Sequence, residues 1–303
     1  MKWFKLKDRV KVFFNLFCLL FVLFCAKICS LERIMYMSFV LKSATHNGYD
    51  GSDLKPVNQD SSLVLVHPSD NRYKFMVVAD GIGGSYKGEI ASSFFCKRMG
   101  EKFEELPGDV FYLNLEDIIC NVDKDLFLEN RRLVNLIPQS NSGVRKSHIP
   151  SLTVGSVVVI GPSYTKVSTV GDTRVYVYKN GVLSLIHRIE NLYDKFVSLG
   201  YADVDLRLKA VPEGCIGYGI NKTGCCEPDC HILNNDYDGI LAVSDGVYKF
   251  VDLSAMDNIM HNCISEDVAD VMVNMAAHGV NFSSTLGQDN ITAAYFGRQK
   301  ILK

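Results

Sequence analysis

Apolar residues fall in short runs bounded by polar or glycine-containing segments. Met35–Leu41, Ser62–Val66, Tyr73–Ala79, Leu152–Ile160, Lys166–Val170, Arg174–Tyr178, Ile240–Val243 and Ile291–Phe296 each have strand length and strand composition. Asn180-Gly181, set between Tyr178 and Val182, predicts a two-residue hairpin turn. Helical spacing separates these runs. In Glu266–His278, Val268, Val271, Met272 and Met275 fall at i, i+3, i+4 and i+7, with Ser265 as N-cap and Gly279 as stop. A second helix is expected over Val110–Glu129, with Phe111, Leu115, Ile118, Ile119, Val122 and Leu126 on one side. A third begins near Gly88 and carries Ile90, Phe94 and Phe95. Residues 136–150 have no period and read as an exposed loop. Strands in hairpin order with helices grouped between them predict an α+β fold with largely antiparallel sheets. No repeat or Pro/Gly-rich linker divides residues 31–303, which read as one domain.

The first thirty residues differ. Lys2, Lys5, Lys7, Arg9 and Lys11 precede an apolar run from Val12 to Ala26. That order is the order of a signal peptide or signal anchor, so residues 1–30 are set apart from the fold and residues 12–29 become a candidate membrane attachment. The implied location is the secretory pathway or a membrane, with a mitochondrial or cytoplasmic location as the alternative. Three Asn-X-Ser/Thr sequons begin at Asn221, Asn281 and Asn290. Composition adds little to this. The chain has 303 residues, 48% hydrophobic, and a net charge of −2, which gives no general attraction to nucleic acid. Of ten cysteines, seven lie beyond the leader, an odd and scattered set that does not form a disulfide framework. Cys225, Cys226 and Cys230 lack a second ligand pair at zinc spacing.

The chemistry-bearing signal is a set of aspartates at strand ends. Val77-Val78-Ala79 runs into Asp80-Gly81-Ile82-Gly83-Gly84. Asp60 stands just before an apolar run, Asp172 in a turn between two strands, Asp245 just after a strand and Asp289 just before one. One aspartate at a turn commonly just bonds its own backbone. Five whose strand ends converge would form a pocket of like charge, and carboxylates at close range stay ionised together only with cations among them. Hard divalent cations, Mg²⁺ or Mn²⁺, take oxygen ligands of this kind. Gly81 then removes side-chain bulk beside such a cation, and Gly83 and Gly84 leave the mouth open.

The stretches VVADGIGGSYKGEIAS, TVGSVVVI, VSTVGDTRVYVYKNG, ILAVSDGVYKFVD and GQDNITAAYF occur in an order and spacing that resembles the metal-dependent serine/threonine phosphatases of type 2C. The resemblance spans about residues 40–297, and the DGxGG form is similar to the compact bacterial members. It implies a four-layer sandwich, two antiparallel β-sheets flanked by helices, and a monomeric catalytic domain acting on phosphoprotein substrates. It implies two cations, Mg²⁺ or Mn²⁺: Asp80 bridging both, the Gly81 carbonyl on the first, Asp245 and Asp289 on the second, and Asp60 holding a metal-bound water. Asp60 and Asp80 are thus the catalytic acids. A third, weaker cation would lie at Asp172, shared with Asp245. Lys55 matches the phosphate-binding arginine of relatives.

This chain departs from the pattern at three positions. Lys55 keeps the charge of arginine but loses its bidentate fork. Gln59 replaces a glutamate, and Ile82 a histidine used by some relatives. The changes at Lys55 and Gln59 carry the alternative reading, a weakly active or inactive pseudophosphatase that binds phosphoproteins. Other hydrolase and nucleotide motifs fail: DGIGGSYKG has Tyr86 where a dinucleotide loop needs its third glycine, no GK[ST] follows, and no GxSxG occurs. The seven histidines show no metal-ligand spacing; His187, after the VLSLI run, is the one that would border the site.

Overall fold

The computed structural model describes residues 39–50, 53–106, 114–136, 150–187, 191–219, 226–263, 265–278 and 288–298. The apolar leader, the first four residues of the expected Met35–Leu41 strand, nearly all of the 136–150 loop, and the sequons at Asn221 and Asn281 lie outside them. Among the described residues no helix is long and apolar enough to cross a membrane.

In chain order the strands are β1 (Phe39–His46), β2 (Tyr49–Asp50), β3 (Asp53–Leu54), β4 (Asp60–Val66), β5 (Lys74–Gly81), β6 (Thr153–Ile160), β7 (Tyr164–Val170), β8 (Arg174–Lys179), β9 (Val182–Leu185), β10 (Asp229–Asn234), β11 (Gly239–Val243) and β12 (Ile291–Arg298). The helices are α1 (Gly88–Glu104), α2 (Leu115–Leu136), α3 (Leu192–Ser198), α4 (Asp245–Tyr248), α5 (Leu253–Asn262) and α6 (Val268–His278). One sheet runs β1-β12-β11-β8-β9 and the other β10-β7-β6-β5-β4. The pairings β4·β5, β5·β6, β6·β7 and β7·β10 are antiparallel, as are β8·β9, β8·β11 and β11·β12.

The side-chain period of two explains why the strands read as nearly continuous apolar runs. On β5, Met76 and Val78 face the other sheet and pack with Val175, Ile240, Ala242, Ala294 and Phe296. The alternate residues Phe75, Val77 and Ala79 face outward and are covered by Phe95, Met99 and Phe103 of α1 and Ile119 of α2. The other sheet is covered in the same way: Tyr176, Leu241, Val243 and Tyr295 pack with Met256 and Met260 of α5 and with Met272 and Ala276 of α6. The central strands β5, β6, β11 and β12 are buried on both faces, so they carry no polar alternation. The layers are helix, sheet, sheet, helix, as expected.

The Asn180-Gly181 turn joins β8 to β9 with both residues at positive φ, 53° and 81°, the geometry that matches the twist of a hairpin. Two expectations shift. The α6 helix is turned relative to its predicted face: Val268, Ala269, Met272, Val273, Ala276 and Ala277 are buried, while Met275 is exposed. Small alanines bring this helix close to its sheet, and counting only large apolar residues misplaces the face. The sequence pattern predicts no strand over β10. That segment is an edge strand whose half-buried positions are Asp229, His231 and Leu233, while Ile232 faces outward, so its polarity runs against the usual pattern.

One contact brings α1 especially close to its sheet. The Phe95 ring lies against the bare backbone of Gly155 on β6, where an added Cβ would come within 2.8 Å of it. Phe95→Ala is expected to cost about 3–5 kcal/mol, read as a lower midpoint in urea unfolding. A loss below about 1 kcal/mol would show that this face is not close-packed.

Candidate active site

Antiparallel connectivity alternates strand starts and strand ends along one edge of a sheet. Asp60 opens β4, Asp80 and Gly81 close β5, and the two aspartates are direct cross-strand partners. Asp172 sits in the turn from β7 to β8, Asp245 follows β11 at the start of α4, and Asp289 lies two positions before β12. Arg174, Val243 and Ala293 are register partners, so the second sheet presents its three termini at one level. Residues spread over more than two hundred positions therefore meet at one end of the sandwich.

Asp60, Asp172 and Asp245 are each less than 10% exposed, whereas the side chain of Asp289 is 47% exposed. Burial pushes the Asp80 carboxyl well above the usual range, and the charges of Asp60, Asp245, Asp289 and Asp172 push it further. Burial raises Asp60 too, opposed by a hydrogen bond from Ser244 and reinforced by the charge of Asp245. Asp245 is raised by burial against the opposing charge of Lys249. Asp172 is raised to about 6 by burial and by Asp245. These carboxylates feel one another's charge.

Their surroundings hold them in place. Ser244 Oγ donates to Asp60 Oδ2 at 2.7 Å and accepts from the Thr292 N–H. Thr153 Oγ1 donates to the Asp80 carbonyl at 2.7 Å. Lys249 Nζ donates to Asp245 Oδ2, and Lys55 Nζ approaches Asp289 Oδ1 at 3.3 Å. Tyr248 reaches towards Asp172 Oδ2 at 3.5 Å, with Arg174 stacked on its ring. Gly81 is required by backbone approach: an added Cβ would meet the Gly88 carbonyl carbon at 2.4 Å and the Gln59 carbonyl oxygen at 2.6 Å. Gly83 and Gly84 have open space around them, and Gly84 has φ +87°.

The donor set suits a hard cation. Asp60 Oδ1 and Asp245 Oδ1 are buried carboxylate oxygens without a hydrogen-bond partner. Such oxygens are costly unless something positive meets them. Among the described residues no group of three or more histidine, cysteine, aspartate or glutamate side chains is placed to hold one metal ion. A small divalent cation that keeps several waters and takes one or two carboxylates fits this arrangement better than an all-protein cage does.

All five predicted aspartates, Gly81 and Lys55 thus share one end of the fold. Three neighbours lie outside the predicted set. Ser244 and Lys249 flank Asp245 in the sequence, and only the fold reveals their bonds to the acids. Asn290 was read only as a sequon. It is buried: its Oδ1 accepts the Gln59 N–H at 2.9 Å, and its Nδ2 donates to the carbonyls of Asn47 and Val57. That amide ties the segment bearing Lys55 to β12, and the folded site leaves it no room for a glycan. His187 is also buried, and its Nε2 accepts the Val175 N–H at 2.9 Å. Cys96, Cys120, Cys226 and Cys230 are free thiols.

Comparison with known proteins agrees with this architecture. The chain is 24% identical over 259 residues to the serine/threonine phosphatase stp of Listeria welshimeri, covering 84% of this chain and 95% of that protein. It resembles the crystal structure of serine/threonine phosphatase Stp1 from Staphylococcus aureus with a TM-score of 0.66 at 18% identity, over 86% of this chain and 96% of that one. The serine/threonine phosphatase PstP/Ppp of Mycobacterium tuberculosis superposes with a TM-score of 0.65 at 14% identity, over 86% and 99% of the two chains. The family description Protein phosphatase 2C matches residues 52–277. That match takes in well over half of the sequence, and the chain belongs to the protein phosphatase 2C family.

Proposed function

We propose that this chain hydrolyses phosphoserine and phosphothreonine in protein substrates, using two divalent cations, Mg²⁺ or Mn²⁺, held at the acidic end of the sandwich. The observation that carries the reading is the gathering of Asp60, Asp80, Asp172, Asp245 and Asp289 at one edge, with two buried carboxylate oxygens left unpaired. Asp80, the Gly81 carbonyl, Asp245 and Asp289 would hold the two cations. Asp172, beside Asp245, would serve a third and weaker one. When bound, such a pair supplies positive charge to the phosphoryl oxygens and lowers the pKa of water towards neutrality.

The chain's own groups do the rest. Asp60 has one oxygen fixed by Ser244 and the other, Oδ1, free to accept a proton from water. Fixing one oxygen orients the other at no further cost when substrate arrives. Lys55 offers an ammonium on the Asp289 side and takes the place of a phosphate clamp, as a point charge and not a fork. Gly83 and Gly84 add no side chains to the entrance, which suits an extended phosphopeptide. The sequence keeps every acid that the resemblance assigns to cation binding, and that favours turnover over phosphoprotein binding alone.

Hydrolysis of p-nitrophenyl phosphate by the full chain is expected to need Mn²⁺ or Mg²⁺ and to stop in EDTA. Asp80→Asn should lower kcat on the order of 10³-fold; full activity in that variant contradicts the assignment. The raised carboxyls also fix a pH response. An acid whose folded pKa lies above its unfolded value binds more protons when folded, so its stability contribution is present below the unfolded pKa and is lost as pH rises through the folded one. With Asp172 at about 6 and Asp60 and Asp80 also raised, the thermal midpoint of the metal-stripped protein should fall as pH rises from about 4 to about 7. Added Mn²⁺ should raise the midpoint more at the alkaline end, where protons no longer compete. A metal-stripped midpoint that climbs steadily over that range would contradict the coupling.

A further inference from the structure

Lys249 is a charged side chain of the acidic pocket that the two-cation reading leaves without a role. It follows α4 directly. Its backbone N–H donates to the Asp245 carbonyl at 3.0 Å, and its side chain folds back one turn so that Nζ donates to Asp245 Oδ2. The charges of Asp245, Asp289 and Asp172 all act on its ammonium. The pocket contains a second lysine contact, Lys55 with Asp289, but there the carboxylate side chain is 47% exposed and the pair is screened by water. In the Lys249 pair the lysine side chain is 41% exposed but the carboxylate only 12%, so the Asp245 end is the less screened of the two carboxylates.

Asp245 offers its two oxygens unequally. Oδ2 is held by Lys249, and Oδ1 is buried with no partner. A divalent cation arriving at Asp245 therefore meets a carboxylate already half neutralised, with a positive charge beside it. We infer that Lys249 is the resident counter-ion of this pocket, steadying it when metal is absent and competing with the divalent cation for Asp245. It thereby sets the cation concentration at which that position fills. This rests on the two-cation reading above and adds a positioning residue to it. The neighbouring cationic group, Arg174, is stacked on Tyr248 at 3.5 Å, and its charge acts on Asp172.

A counter-ion has a signature that a packing residue lacks: its removal moves two readouts in opposite directions. The test uses the full chain in mild detergent, stripped with EDTA and then freed of it, in wild-type, Lys249→Met, Lys249→Gln and Lys249→Arg forms. Thermal unfolding without metal and calorimetric titration with Mn²⁺ are read for each. Lys249→Met and Lys249→Gln are expected to lower the metal-free midpoint while tightening the Mn²⁺ Kd by about five- to tenfold. Lys249→Arg keeps the charge and should stay near wild type in both. The inference is overturned if the neutral variants bind Mn²⁺ with unchanged or weaker affinity, or if they raise KM for p-nitrophenyl phosphate with the Mn²⁺ Kd unmoved, which would make Lys249 a phosphate-binding group. Wild-type protein that takes up no Mn²⁺ overturns the two-cation reading and this inference together. Wild-type uptake with unchanged Kd in the neutral variants overturns this inference alone.

Discussion

The arrangement of this molecule depends on holding like charges together against their repulsion. Asp60 and Asp80 are cross-strand partners, fixed by seven consecutive register pairs between β4 and β5. A slip of one residue would turn every side chain of either strand to the opposite face. The buried residues on both faces of β5 forbid that slip: Met76 and Val78 are committed to the opposite sheet, and Phe75, Val77 and Ala79 to the helices. The hydrophobic layers thus supply the free energy that keeps carboxylates adjacent, and the raised carboxyl of Asp80 is the local mark of that constraint. Protons relieve the repulsion at low pH, and hard cations suit the same oxygens at neutral pH.

The second sheet contributes by the same logic. Asp245 and Asp289 belong to neighbouring antiparallel strands, one leaving β11 and the other entering β12, so they reach the same edge without any long connection. Around them lies a frame of neutral hydrogen bonds. Ser244 links Asp60 to β12, and Asn290 links β12 to the segment before β4. These contacts join the two sheets at the site. An added Cβ at Gly246 would fall 2.0 Å from the Asn290 carbonyl oxygen, a measure of how closely α4 is seated there. The lysines on Asp245 and Asp289 temper the charge without closing the pocket.

Much of this was legible in the sequence, for physical reasons. A strand covered on both faces leaves a continuous apolar run, so β5, β6 and β11 were visible, and each aspartate at the end of such a run was conspicuous. The turn at Asn180-Gly181 was visible because few other pairs take two positive φ values in succession. What was hidden depended on partners far away in the chain. β10 presents Ile232 to solvent and His231 inward, so its pattern carried no strand signal. The buried face of α6 is set by alanines that count for little in an apolar tally. Asn290 looked like a glycan acceptor because a sequon is a local pattern, while burial is not. Ser244 and Lys249 lay beside a recognised acid, but nothing local shows which side chains turn back onto it.

The most direct test of the central claim is anomalous diffraction at the manganese edge from crystals of this protein grown with Mn²⁺. The account predicts two strong peaks at the acidic edge of the sandwich, one within ligand distance of Asp80 and the Gly81 carbonyl and the other of Asp245 and Asp289. A well-ordered map with no anomalous density among these residues would contradict it.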